Sequence, residues 1–254
     1  MFSLKAYFDD SGEKDQAVGG CVASAESWAR FDDEWRAVLN RFHVDEFHAV
    51  RFENRTHRFK AMCESDRAPF RASLLEVLTR HVNPQTGGAY VCAVAIPEFV
   101  DQLKARMPIG ASEPKRNKSR SELRVDKQVE AFSDPYCVCL GHSLRTVLEL
   151  AIGGRDSVNV FVAHQPNRTE HIDWLYTWML GVGRFREHLE GFQRGKKMQP
   201  KSILPLQAAD FAAYYLSKRF RQPGNPVAWV ADKLYPNFPV AVPFNSATVA
   251  GWAM

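Results

Sequence analysis

Long apolar runs are missing from this chain of 254 residues. None approaches the roughly 20 residues needed to span a bilayer, so no membrane segment is expected. The start, MFSLKAYFDD, lacks a basic region followed by an apolar stretch, and no secretory signal is expected there. Cysteine is scarce and odd in number: Cys21, Cys63, Cys92, Cys137 and Cys139. That count, without framework spacing, argues against a disulfide-stapled fold and for a reducing, cytoplasmic compartment. A large charge imbalance is missing as well. The net charge is +4, from 33 Lys+Arg against 29 Asp+Glu, short of the excess that marks a dedicated nucleic-acid binder. No internal repeat is visible. The tail 235–254 has no charged residue and three prolines. It is a candidate packing surface for the body of the chain or, as a homo-oligomer contact, for a second copy.

What is present suits a globular fold, with 45% hydrophobic and 24% charged residues. SLKAYFDD alternates, Leu4, Ala6 and Phe8 against Lys5, Tyr7 and Asp9, as a strand with unlike faces. DDSG is expected to end it as a turn. AVGGCVAS (17–24) reads as the returning strand of a hairpin, with Gly19 and Gly20 as a candidate bulge. An amphipathic helix over 26–42 turns Trp28, Phe31, Trp35, Val38 and Leu39 inward. VDEFHAVRF is expected to be extended or irregular, and a second helix covers 67–81. GAYVCAVAI (88–96) and SVNVFVAH (157–164) read as short buried strands. Asp134 before Pro135 marks the start of a helix over 135–152. Asn167 to Glu170 reads as the cap of a helix carrying Ile172, Leu175, Trp178 and Met179. LPLQAADFAAYYL (204–216) is helical, with Leu206, Ala209, Ala213 and Leu216 on one apolar face. The segment 107–124 shifts in composition. Its prolines, Gly110 and basic residues Lys115, Arg116, Lys118, Arg120 and Arg124 predict a mobile basic insertion. This order of elements predicts an α/β fold with a mixed sheet, in one domain over 1–254.

Asp210 is the anomaly, a carboxylate on the edge of an apolar helix face, three residues after Gln207. Other candidate acids and imidazoles sit where strands end, the place where sites form in open α/β sheets. Asp9 and Asp10 close the first strand and, as neighbours, point to opposite faces. Glu46 and His48 share a face if DEFHA is extended, and His164 ends the strand 157–164. Carboxylates gathered at one edge repel and titrate together. A divalent cation relieves the repulsion, and oxygen ligands favour Mg2+ or Mn2+. Two such ions clamp the attacking and leaving oxygens of a phosphodiester.

The motifs YFDDSG, EFHA and LQAADFAAY, in this order across nearly the whole chain, resemble those of the DUF3800 family, the last being the most specific. The resemblance implies an RNase H-like fold, a mixed β-sheet flanked by helices with helical insertions, and a metal-dependent nuclease. By it, Asp9 stands as the first-strand metal ligand, Asp210 as the acid of the final helix and Glu46 as the third acid. Asp10 assists, and Gln207, His48 and His164 support. Lys115, Arg116, Lys118, Arg120, Lys196 and Lys197 would grip the phosphates of RNA or DNA. Two departures stand out. Asp10 occupies a place where the family more often has Glu, and His164 one where RNase H-like sites commonly offer an acid.

Plainer readings stay open. Asp9 and Asp10 suit a turn, Asp210 suits an ion pair with Lys218 or Arg219, and HVDEFH suits a solvated loop. Cys137, Cys139 and His142 hint at zinc, but Cys-x-Cys on one helix points its sulfurs apart. The alternative function is a catalytically silent module of the same fold that binds nucleic acid or a protein partner.

Overall fold

A computed structural model describes residues 3–11, 17–95, 134–195, 197–199, 202–222 and 224–234. The basic insertion with Lys115, Arg116, Lys118 and Arg120, as well as Lys196 and the tail 235–254, lies outside the described residues. The strands are β1 (Ser3–Ser11), β2 (Ala17–Ser24), β3 (Ala89–Val94), β4 (Ser157–Val162) and β5 (Leu189–Gln193). The helices are α1 (Ala25–Arg41), α2 (Ala49–Glu53), α3 (Glu64–His81), α4 (Pro135–Gly154), α5 (Thr169–Gly181), α6 (Gly183–Arg186), α7 (Leu204–Arg221) and α8 (Ala228–Leu234). The five strands form one mixed sheet in the order β3-β2-β1-β4-β5. β1, β2 and β3 are antiparallel neighbours, whereas β4 runs parallel to β1, and β5 parallel to β4. The fold is α/β, with the sheet flanked by helices on both faces.

Strand alternation divides the core in two. Leu4, Ala6, Phe8, Val18, Val22, Val158, Val160 and Val162 point toward α4, α5 and α6. Tyr7, Cys21, Ala23, Tyr90 and Cys92 point toward α1, α3 and α7. Both faces of β1 are therefore covered, where the alternation alone predicts unlike faces. The hairpin register is continuous from Leu4↔Ser24 to Ser11↔Ala17. Asp9, Asp10 and Ser11 are thus paired strand residues, not a turn, and Gly19 and Gly20 form no bulge. Instead the glycines permit close approach. A Cβ on Gly19 would lie 2.4 Å from the Cα of Ala213, and one on Gly20 would lie 2.5 Å from the Phe8 ring.

α7 can lie that close because Ala208, Ala209, Ala212 and Ala213, all fully buried, keep its girth small. Every residue from 204 to 217 is buried. The helix crosses β1, β2 and β3 on one side and meets α1, α2 and α8 on the others. An all-round buried helix replaces the one-faced helix that the spacing predicts.

Other boundaries differ locally. VDEFHAVRF is irregular only to His48 and then turns into α2; α3 begins at Glu64 rather than 67. β4 stops at Val162, so His164 lies two residues past the strand. α5 starts after Arg168 without a side-chain cap. β5 (LEGFQ) has no apolar run to announce it, being a short strand held at the sheet edge by its pairing with β4. The expected start of α4 is borne out: Asp134 is the N-cap, and its carboxylate accepts the Tyr136 N–H at 3.0 Å.

The segment before α2 is anchored by aromatic rings. Phe47, Phe52 and Phe59 are almost fully buried and pack on one another and on Phe70, with Phe47 also against Trp35 and Phe211. Burying such a side chain contributes about 1.5–3 kcal/mol, so residues 47–59 are held rigidly against α7.

Candidate active site

β1 and β4 are parallel, so their carboxyl ends share one sheet edge. The Ala163 N–H donates to the Phe8 carbonyl at 2.9 Å and carries the pairing one step beyond β4. Asp9 and Asp10 therefore lie beside residues 163–165. Asp9 shares the α7 face with Tyr7 and Ser11, whose hydroxyl meets that of Ser217 at 3.1 Å. Asp10 turns to the α4 face, where the Gln165 side-chain amide donates to it. Asp210 reaches Asp9 through the glycine contact. Gly19 is the register partner of Asp9, Ala213 lies on Gly19, and Asp210 is one helical turn before Ala213.

Asp210 is 4% exposed. Its Oδ2 accepts the Ala49 N–H at 2.6 Å, a strong charge-assisted contact at the start of α2. This backbone amide, rather than Lys218 or Arg219, is its partner. Gln207, one turn earlier, is fully buried and accepts both the Trp35 indole N–H (3.0 Å) and the Phe47 N–H (2.9 Å). Two polar side chains of α7 thus capture two backbone donors of segment 46–49 and fix His48 between them. That contact explains why an apolar helix carries LQAAD.

One amide does not offset the burial of Asp210. Desolvation pushes its pKa up to about 7, with the charge of Asp10 adding to the effect, while the Ala49 N–H and Arg51 oppose it. Asp9 is held well above the usual carboxylate range, by burial first and then by the charges of Asp210 and Asp10. Burial also raises Asp10, against the charge of Arg168 and the amide of Gln165. The three acids form one electrostatic cluster that disfavours its own ionisation.

The other expected site residues are arranged differently. His48 Nδ1 lies 3.6 Å from Asp210 Oδ2. Its pKa is lowered by burial and then by Arg51, which disfavours an ion pair there. The Glu46 carboxylate is drawn into an ion pair with Arg51 at 3.2 Å. The His164 N–H donates to the Met198 carbonyl at 2.9 Å, and its Nδ1 is buried without a hydrogen-bond partner among the described residues. Gln165, the next residue, makes the contact to Asp10. Lys197 is exposed. Gln165, Arg168 and the Ala49 amide do not stand out in the sequence. The parallel β1–β4 register brings the first two in, and it leaves no trace in local spacing.

A second group lies toward α4. Asp134, Cys137 and His171 each offer one donor atom, all within 4.8 Å of one another, and this group could hold a metal ion. Cys137 finds these partners at its own N-cap and on α5, not at Cys139 or His142. All five cysteines are free thiols. Among the described residues, no helix is long and apolar enough to cross a membrane. No family model matches the chain, and no curated protein matches it in sequence.

Proposed function

We propose that the chain is a metal-dependent nuclease with an RNase H-like fold, hydrolysing phosphodiester bonds of RNA or DNA in a reducing, cytoplasmic compartment. The observation that carries this reading is the approach of two acids, Asp9 at the carboxyl end of β1 and Asp210 on the helix pressed against its register partner Gly19, with burial and their mutual charge raising the pKa of Asp9. The five-stranded mixed sheet is compatible with the fold, and the motifs that resemble the DUF3800 family supply these same residues. Asp9 and Asp210 would hold Mg2+ or Mn2+, with Asp10 assisting. Such an ion, when bound, supplies a water of lowered pKa and neutralises charge on the phosphate. The Ala49 amide holds Asp210 in place, Gln207 fixes the neighbouring Phe47 N–H, and Gln165 orients Asp10. His48 is 41% exposed at its side chain, with Nδ1 turned inward to Asp210 Oδ2 at 3.6 Å.

The test is cleavage of single- and double-stranded RNA and DNA with Mg2+ or Mn2+, together with thermal melts. Wild type should cleave, and Mn2+ should raise its melting temperature. An ion at a hundred times its Kd contributes about 2.7 kcal/mol. Asp9→Asn and Asp210→Asn should lose cleavage and most of the Mn2+ shift. Cleavage that survives both substitutions would overturn the assignment. A second reading, a silent binding module, draws on Glu46 being occupied by Arg51. Absence of both cleavage and a Mn2+ shift, with nucleic acid still bound, would select it.

A further inference from the structure

We infer that Asp134, Cys137 and His171 form a separate site for a zinc-class transition-metal ion, with three protein ligands and a fourth position left for water or a small ligand. The donor set and its spacing carry the inference. His171 Nδ1 lies 3.6 Å from Asp134 Oδ2, and Cys137 Sγ lies 3.8 Å from the same oxygen. A tetrahedral ion holding N, O and S at about 2.0–2.3 Å separates its donors by about 3.3–3.8 Å. The two spacings to Asp134 Oδ2 match those edges, and the third, between Cys137 and His171, lies within 4.8 Å. Thiolate and imidazole select Zn2+ or Co2+ over Mg2+ or Mn2+, which sets this site apart chemically from the carboxylate cluster.

The ligands come from three places: the N-cap of α4, its first turn, and α5. Cys137 is 3% exposed, and Asp134 is fixed by its cap bond to Tyr136. Arg168 holds Asp134 Oδ2 at 2.8 Å in the metal-free state. An incoming cation takes over that oxygen and repels the guanidinium, which already lies 4.9 Å from the Tyr136 ring centroid and faces Asp10. Burial and the charge of Asp134 keep the Cys137 thiol protonated without metal. Binding therefore forms a sulfur–metal bond and releases one proton from the thiol to solvent.

The experiment uses the full chain stripped with a chelator and titrated with Co2+, then with Zn2+ against a chromophoric chelator in weakly buffered solution. One equivalent of Co2+ should give the visible bands of a tetrahedral ion and a thiolate-to-cobalt charge-transfer band. Binding of either ion to the metal-free protein should release one proton, and Zn2+ displacing Co2+ should abolish both bands without further release. Losing only the partners that orient a metal ligand weakens metal sites about 10–100-fold. Cys137→Ser and His171→Ala, which remove ligands, should weaken Zn2+ binding by at least about tenfold and remove the charge-transfer band. Cys63→Ser, at an exposed thiol, and Asp210→Asn should leave the bands intact. Circular dichroism of the metal-free variants checks folding. Should Cys137→Ser fail to fold, His171→Ala, at a partly exposed position, decides. Absence of the charge-transfer band in wild type, or bands unchanged in folded His171→Ala, would overturn the site. Neither outcome bears on the nuclease reading.

Discussion

Asp210→Asn separates a metal-ligand carboxylate from a structural one through the pH dependence of stability without metal. The carboxyl has an ordinary pKa of 3.8 and is raised to about 7 in the fold. A carboxyl of this kind binds more protons folded than unfolded between those two values. Stability therefore falls as pH rises from about 4 to about 7. At 1.36 kcal/mol per pH unit the ceiling on this loss is about 4 kcal/mol, and coupling to Asp9 divides it between the two acids. Asparagine keeps the size and still offers an oxygen to the Ala49 N–H, but forfeits the charge assistance of that bond, about 1 kcal/mol. In EDTA at pH 8 the variant should thus be more stable than wild type by about 1–3 kcal/mol. At pH 4, where the folded wild type is protonated, the gain should vanish or reverse slightly. The assay is the urea midpoint of both proteins at pH 4, 6 and 8 in EDTA. Equal destabilisation at every pH would mean that Asp210 is an ionised, well-paired acid, and the reasoning for a repelling carboxylate cluster would fail.

Two further perturbations probe the frame of the site. Gly19→Ala places a Cβ 2.4 Å from the Ala213 backbone. It should destabilise by at least about 1–3 kcal/mol, the usual cost of overpacking. It should also push α7 off the sheet and so flatten the fall in stability between pH 4 and 7; denaturation across that range checks both effects. Glu53→Gln removes the carboxylate that pairs with Arg71 at 2.9 Å and Arg67 at 3.7 Å, guanidiniums only 12% and 4% exposed at the side chain. Arg71 then loses the carboxylate it pairs with and Arg67 keeps only the exposed Glu64 at 3.7 Å, which should cost about 3–5 kcal/mol, read as a lower urea midpoint at pH 7. A cost under 1 kcal/mol would mean that the Phe52 ring beneath both arginines suffices to hold them.

Local signals in this chain were legible where the cause is local. Alternation in LKAYFD marks β1 and assigns its residues to the correct sides of the sheet, since side chains alternate whatever packs on them. Asp134-Pro135 marks the start of α4 because cap and proline act within one turn. LQAAD marks a helix with an out-of-place acid. What that acid touches was decided by tertiary structure. Whether Asp9 is a turn residue or a paired strand residue depends on the hairpin register. Whether Asp210 reaches it depends on how closely α7 crosses Gly19. β5 exists because β4 offers an edge, and Gln165 meets Asp10 because β1 and β4 align in parallel. Cys137 illustrates the difference most clearly. Its helical neighbours Cys139 and His142 lie near it in sequence, but its donor partners are Asp134 at the N-cap and His171 on another helix. Spacing along a helix reports which side chains share a face. The distance between faces on different elements is set by packing, and packing is a property of the whole core.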